Sequence, residues 1–473
     1  MASNKITGKE LRAIGFPEGK VIATVMYCLE KYYKGKSKKQ KLELMKRVAD
    51  APALYKKHEQ LGQVAQDLML KLEAKREIEL NRSRVPYQIY GAEGIEPGAI
   101  HQMELAMKLP ITVSGALMAD AHQGYGLPIG GVLAVENAVI PYGVGVDIGC
   151  RMCLSVFEIG PSIFTQFSHD LKDQLMGNTR FGNESFRDPI DHEVLSRKEF
   201  DEIGLLKKLK DKAFQQIGTS GGGNHFVEFG TLEISEYDES LGLIAGKYLA
   251  LLSHSGSRAL GAMIAKHYTK LAKARCPLPN EAKHLAWLDL NTEKGQEYWL
   301  AMSLAGDYAS ACHHQIHERV AKALGEPSIV MVENHHNFAW KEQDAGGKEI
   351  IVHRKGATPA GKGILGIIPG SMTSPGFVVK GKGNVTSVNS ASHGAGRVMS
   401  RRRAKETLSK NEVIRHIRKA GVEVIGSGID EAPMVYKDIH EVMTRQTELV
   451  DVLGQFSPKI VRMCGDRRFA EVD

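Results

Sequence analysis

From about Val85 onward the chain is a succession of short apolar runs, each cut off by glycine, and this pattern restricts it to a fold of many short strands joined by tight turns. Glycine fills 49 of 473 positions, above the usual ~7%, so backbone conformations closed to other residues are wanted in many places. Gly130–Val135, Val139–Val146, Met152–Phe157, Phe226–Phe229, Ile329–Val332 and Phe377–Val379 read as strands. Helical periodicity falls between them, in Leu171–Met176, Tyr298–Leu324 and the stretch after Gly396. Interleaved strands and helices predict an α/β (α+β) core that occupies residues 83–473 as one large domain.

Residues 1–82 have a different character. Thr7-Gly-Lys-Glu10 is a capping box, Ile6 and Leu11 are spaced as its hydrophobic staple, and Gly15-Phe-Pro17 is a stop. Apolar residues recur at helical spacing through Val21–Tyr33 and Leu42–Leu72. The basic run Lys34–Lys41 between them reads first as a solvated loop and second as a nucleic-acid contact. The segment is expected to be a helical accessory unit.

Lys and Arg total 62 against 55 Asp and Glu, a net charge of +7 with a pI near 8.9, which permits a polyanionic partner and equally serves solubility. Apolar stretches such as Leu241–Ser253, interrupted by Lys247, fall short of the ~18–20 residues that span a bilayer, and Met1–Asn4 opens without a signal-peptide pattern. No membrane partner and a cytoplasmic location are therefore expected. Cys28, Cys150, Cys153, Cys276, Cys312 and Cys464 are too scattered for a disulfide framework, so each is a buried hydrophobe or a functional thiolate.

Candidate chemistry gathers in polar islands. Four contain glycine: Gly145-Val-Asp147-Ile-Gly-Cys150, Gly221-Gly-Gly-Asn224-His225, Ser253-His254-Ser-Gly-Ser-Arg258 and Ser392-His393-Gly-Ala-Gly-Arg397. A fifth, Glu333-Asn-His335-His336-Asn337, has none. Histidine or cysteine beside glycine suits a place where backbone must approach a ligand closely. Asp147 and Cys150 can reach one centre from a turn, and His225, His254 and His336 would have to join them through folding. One thiolate, one carboxylate and three imidazoles suit Zn²⁺, Mn²⁺ or Co²⁺ better than Mg²⁺ or Ca²⁺. Five ligands exceed the four of a closed zinc site, but two metals sharing Cys150 would use them all.

Other motifs carry less. Gly356–Gly363 approaches a P-loop, yet Gly363 stands where a hydroxyl should hold Mg²⁺. Gly218-Thr-Ser220-Gly-Gly222 fits a nucleophile elbow only formally. Cys150-Arg-Met-Cys153 lacks the context of a redox pair. His313, His314 and His317 lie on a helical pattern and read as surface or core residues.

Taken together the islands resemble the RtcB family of GTP-dependent RNA ligases. The resemblance runs from about residue 85 to 463 through Asp120-Ala-His-Gln-Gly-Tyr-Gly-Leu-Pro-Ile-Gly-Gly131, Asp147–Cys150, Gly221–Glu228, Ser253–Arg258, His336-Asn337, Arg354–Thr358, Pro369–Met372 and Ser392–Arg397. It implies two Mn²⁺ ions bridged by Cys150, one completed by His254 and His336 and the other by Asp147 and His225. It implies that His393 attacks the α-phosphorus of GTP to give a histidine–GMP phosphoramidate. GMP would pass to a 3′-phosphate end of RNA or DNA, and a 5′-hydroxyl would then seal it, a 2′,3′-cyclic phosphate being hydrolysed first. The resemblance places Asn224 on a phosphate, Glu228 on the guanine edge, and Ser371 and Ala395 along the nucleotide pocket. Arg258, Lys355, Arg397 and Arg401 become the candidate grips on nucleic-acid phosphates, with a solvated helix face the plain alternative for Arg401–Arg403.

The chain also departs from the family. Relatives commonly end in a Val-Lys-Gly-like tail, whereas this chain ends Cys464–Asp473 without lysine. Gly376 replaces a frequent serine, Arg151 follows Cys150 where glycine is usual, and Cys312-His313 replaces an Asn-Arg pair. These differences and the segment 1–82 mark a divergent paralogue, for which an activating protein partner is allowed. The alternatives are an enzyme that caps 3′-phosphate ends without sealing them and a catalytically quiet nucleic-acid-binding protein.

Overall fold

A computed structural model describes residues 6–73 and 77–465. The opening Met1–Asn4 and most of the lysine-free tail Cys464–Asp473, residues 466–473, lie outside the described residues. The chain divides into two compact units, Met1–Glu79 with Ala274–Pro279, and Leu80–Lys273 with Asn280–Asp473.

The first unit is helical: Gly8–Ala13, Lys20–Tyr32, Lys38–Asp50 and Gly62–Glu73. Thr7 caps the first helix with both arms of the capping box in place, and Ile6 packs into the same cluster as Leu11. One apolar face of each helix supplies the core, with Leu11, Val25, Met45 and Leu68 fully buried. The pattern read as continuous through Leu42–Leu72 breaks after Asp50, because Pro52 cannot donate within a helix and starts a 3₁₀ turn instead. Lys34–Lys41 forms a turn and the start of the third helix, where Ser37 and Gln40 make a second capping box and Lys38 pairs with Glu10 at 2.8 Å. Residues 274–279 belong to this unit, Ile78 N–H donating to Pro277 C=O at 2.7 Å, and no local periodicity signals such a return. Residues 1–79 hold 17 Lys and Arg against 10 Asp and Glu, so the net charge of the entire chain, +7, resides there.

The second unit is mixed α/β. One sheet has the order Gln88–Ile89, Thr112–His122, Ile129–Val135, Glu349–Lys355, Asn337–Gln343. A larger sheet has the order Leu365–Ile368, Gly376–Gly381, Val450–Met463, Phe226–Ile234, Gly246–Ser255, Arg151–Phe157, Ser328–His335, with Glu423–Ile425 added beside Val450–Met463. The larger sheet curls until its end strands meet. The buried Asn334 amide clasps them, accepting from Ile367 N–H at 2.8 Å and donating to Ile367 C=O at 3.3 Å. Alternation assigns the faces: Met152, Leu154 and Val156 join Ala250 and Leu252 inside the curl, whereas Cys153, Ser155 and Ser253 face outward. Serines 155 and 253 meet the helix Glu293–Leu324, capped by Thr292 and ended by left-handed Gly325.

The strand expected over Val139–Val146 is a correction. Only Ala138–Val139 is a strand; Pro141, with fixed φ and no N–H, begins the helical turn Pro141–Val144. The 14-residue strand Val450–Met463 escapes the pattern reading because Asp451, Gln455, Pro458 and Lys459 interrupt its apolar residues. Among the described residues no helix is long and apolar enough to cross a membrane.

Candidate active site

The two sheets meet where the chain passes directly from one to the other. His336 is the single residue between Ser328–His335 of the larger sheet and Asn337–Gln343 of the smaller. Its N–H donates to Cys150 C=O at 2.9 Å and its C=O accepts from Gly356 N–H at 2.8 Å, so three loops are laced at the seam. Cys150 ends the turn from Asp147 and leads into Arg151–Phe157; His254 is next to last on Gly246–Ser255, cross-strand from Phe226, which His225 precedes.

Side chains converge accordingly. Cys150 Sγ lies 3.2 Å from His254 Nε2 and 3.5 Å from His225 Nε2; His254 Nε2 lies 3.3 Å from His336 Nε2, and His225 Nε2 lies 3.1 Å from Asp147 Oδ2. All are buried except Asp147, which is partly exposed. His254 Nδ1 donates to Asn224 C=O at 3.2 Å, since a carbonyl can only accept, and this leaves Nε2 as a lone pair aimed at sulfur and at a second imidazole. Burial, reinforced by the neighbouring rings, holds His254 and His336 well below the ordinary histidine range. Neutral ring nitrogens and a thiol gathered within contact of one another, with a carboxylate alongside, are the donor set of a transition-metal cation. Glycine makes the gathering possible: a β-carbon on Gly256 would overlap the Asp147 carboxylate, and one on Gly221 would overlap the His225 ring.

His393 follows Ser390–Ser392, and its ring centroid is 4.9 Å from that of His336. Its Nδ1 is 2.6 Å from Oδ2 of the fully buried Asp120, which also accepts the His393 backbone N–H at 3.1 Å. Burial alone would raise the Asp120 pKa, but the charge and hydrogen bond of His393 hold it below the usual carboxylate range. An ionised Asp120 can only accept, so Nδ1 is the ring nitrogen that donates to it and Nε2 is the one left for other contacts. Asp120 opens the motif Asp120–Gly131, and nothing local to it reveals that it pairs with a residue 273 positions away.

A single cavity of about 1180 Å³ is lined by Asp147, Cys150, His225, His254, His336 and His393 and by every candidate nucleotide and nucleic-acid contact read from the sequence, with Asp120 behind His393 and outside the lining. Asn224 and Ala395 are on its wall, and Ser371 bonds Ser374 Oγ at 2.9 Å there. Glu228 is 5% exposed, and burial lifts its pKa well above the usual value. Lys355 Nζ donates to Tyr125 C=O at 2.7 Å. Three arginines lie on the wall with their forks engaged by protein: Arg258 by Thr219 Oγ1 and Gly182 C=O, Arg397 by Glu431 and Asp430 C=O, and Arg401 by Glu431 and Asp430. Arg402, a fourth arginine on the wall, is solvated on its helix face and paired with Glu406 at 2.8 Å.

The chain matches the family described as tRNA-splicing ligase RtcB over residues 102–205 and 198–463. It is 34% identical over 393 residues to the RNA-splicing ligase RtcB of Escherichia coli K12, covering 76% of this chain and 92% of that one. The chain belongs to the RtcB family. It is also similar to the tRNA-splicing ligase RtcB of Nanoarchaeum equitans, 30% identical over 80% of this chain and 95% of that one, and to RNA-splicing ligase RtcB homolog 1 of Entamoeba dispar, 29% identical over 73% and 78%.

The RtcB match leaves residues 1–101 outside it. Arg151, expected from the sequence to be a departure from the family pattern, donates to Gly306 C=O at 2.8 Å and pairs with Glu333 at 3.2 Å. His313 and His317 are fully buried, and His314 pairs with Glu333 on the surface. His313 Nε2 donates to Ser255 C=O, so its Nδ1 accepts from Ser253 Oγ at 2.6 Å; Ser253 in turn accepts from His317 Nε2 at 2.7 Å, and His317 Nδ1 accepts from Ser155 Oγ at 2.7 Å. Cys153 lies beside these rings, whose four nitrogens are taken by serine hydroxyls and the Ser255 carbonyl. The rejected motifs fare as read: Ala357–Pro359 is a strand with no helix after it, Ser220 is fully buried, and Cys153 is a buried thiol whose pKa burial raises.

Proposed function

We propose that this protein joins a 3′-phosphate or 2′,3′-cyclic phosphate RNA end to a 5′-hydroxyl end through a GMP adduct on His393, in the manner of RNA repair or tRNA splicing. The observation that carries the reading is the Asp120–His393 pair, in which the carboxylate takes Nδ1 of a ring that lines the cavity holding the Cys150 cluster and so reserves Nε2 for chemistry there. Names of the relatives, RNA-splicing and tRNA-splicing ligases, support RNA as substrate.

Nε2 attacks the α-phosphorus of GTP, a P–N bond forms and pyrophosphate leaves. The ring becomes cationic, and the Asp120 carboxylate on Nδ1–H offsets that charge without moving. An oxygen of the RNA 3′-phosphate then attacks the same phosphorus, the P–N bond breaks and His393 returns to its neutral form. The 5′-hydroxyl attacks the activated 3′-phosphorus, its proton is lost, a phosphodiester forms and GMP leaves. Two Mn²⁺ ions sharing Cys150, one with His254 and His336 and one with Asp147 and His225, would supply Lewis-acid charge to the phosphates. Asn224 and Lys355 offer donors to phosphate oxygens, Ser371 and Ala395 bound the nucleotide, and Glu228 is placed to accept from the guanine edge. Arg258, Arg397 and Arg401 act by holding the wall, with Arg397 and Arg401 able to turn from Glu431 to a phosphate.

Incubation with α-labelled GTP and Mn²⁺ tests the adduct, which should be acid-labile and alkali-stable. Addition of 3′-phosphate RNA or DNA, with and without a 5′-hydroxyl partner, then tests the joining. Sealed RNA is the expected product; guanylylated ends that never seal would establish a capping enzyme, and absence of any covalent label would establish a binding protein.

A further inference from the structure

Two tyrosines at the rim of the same cavity cluster with a histidine that lies behind them, and none of the three belongs to a ligand island. Tyr142 and His284 have centroids 5.2 Å apart at 33°, and Tyr125 lies 5.9 Å from His284 and 6.2 Å from Tyr142. Tyr125 and Tyr142 line the cavity, and Tyr125 is 53% exposed, which rings that serve only as packing avoid. Cations surround the group: Lys355 Nζ lies 5.1 Å and Lys273 Nζ 5.6 Å from the Tyr142 ring centre. Lys273 donates to His284 Nδ1 at 3.0 Å and Lys283 to Asn280 Oδ1 at 2.9 Å, so neither engages a carboxylate among the described residues. Lys355 is followed by Gly356, where a β-carbon would sit 3.1 Å from His393 Cε1, so the rim and the nucleophile are adjacent.

Exposed aromatic faces among cations are what a single-stranded nucleic acid needs, since each base has a π face and each linkage a charge. We propose that Tyr125, Tyr142 and His284 form a stacking platform for the terminal nucleobase of the nucleic-acid end, with Lys355 and Lys273 holding the phosphate beside it. The proposal rests on the reading of the cavity as an RNA-joining site and adds to it where the end is held. Stacking is indifferent to base identity, so the platform favours any base over none and gives no sequence preference.

The test is equilibrium binding of full-length protein to fluorescent single-stranded oligonucleotides. One arm carries a 3′-phosphate with or without a base on the terminal nucleotide; a second carries a 5′-hydroxyl with or without it, and the arm that responds identifies the end. Wild type should bind the base-containing end about ten-fold more tightly than its abasic counterpart, the size expected for one stacked base. Tyr125→Ala should erase that preference and Tyr125→Trp retain it; Tyr125 is exposed enough for both to fold, and His284→Ala provides a second probe. Equal binding of base-containing and abasic ends by wild type, or an undiminished preference in Tyr125→Ala, overturns the platform. A protein that shows the preference yet neither labels itself nor joins ends would overturn the ligase reading and leave the platform standing.

Discussion

His393 Nδ1 and Asp120 Oδ2 are 2.6 Å apart, and the carboxylate that fixes the ring also accepts the backbone N–H of the same histidine. Asp120→Asn keeps the shape but allows the amide to present N–H to Nδ1, which moves the ring proton to Nε2 and blocks attack. Covalent labelling by GTP should slow by at least ~100-fold while GTP still binds. Single-turnover labelling of Asp120→Asn, with His393→Ala as the zero, measures this; a rate within two-fold of wild type would mean that the tautomer is set elsewhere.

Cys150 touches both halves of the ligand cluster, so its loss should disable both at once. Cys150→Ala should copurify with far less manganese and label at under ~1% of the wild-type rate, with an unchanged circular-dichroism spectrum because the residue sits on a turn. Elemental analysis beside the labelling assay checks it. Full manganese content in the variant would remove Cys150 from the ligand set.

Burial lifts the Glu228 pKa well above the usual carboxylate value, so the group gives up its proton less readily than an exposed glutamate. Guanine offers two donors on its edge and is best met by the ionised form, so GTP binding should expel a proton. Below the raised pKa, affinity should then climb with pH, by up to about ten-fold per unit. Calorimetry in buffers of different ionisation enthalpy reads the proton, and Glu228→Gln should abolish both the release and the preference for GTP over ITP and ATP. Proton release that persists in Glu228→Gln would assign it to another group.

His313 is pushed down to about 3 by burial. Between that value and the ordinary ~6.5 of an unfolded histidine, the unfolded chain binds a proton that the folded chain refuses, so stability falls as pH drops through this window. The loss approaches ~1.4 kcal/mol per pH unit per histidine. Denaturant unfolding at pH 7 and pH 5 should show a steeper acid loss for wild type than for His313→Gln; equal slopes would mean that the ring is protonated in the folded protein.

Much of the site was legible because its residues are chemically conspicuous: a cysteine or histidine set beside glycine has few ordinary reasons to be there, and Cys150, His225, His254, His336 and His393 do share one cavity. Asp120 was not legible, since a buried carboxylate announces nothing until its partner arrives. The interleaved core could be read from short runs between glycines, but the strand Val450–Met463 could not, because its outward side chains are polar and one is proline. His313 and His317 were placed on a helix without their role. Their hydrogen bonds to Ser253 and Ser255, on either side of His254, exist only once that helix lies against the strand.

The uneven distribution of charge between the units has a colloidal consequence. Because residues 1–79 hold the chain's whole excess of +7, the remaining 394 residues are formally neutral at pH 7 and would stand close to their own isoelectric point. Mutual repulsion between copies of the protein, which opposes clumping in a concentrated solution, therefore comes from the helical appendage. Shortening it would change how molecules space themselves long before it changed what any one of them does.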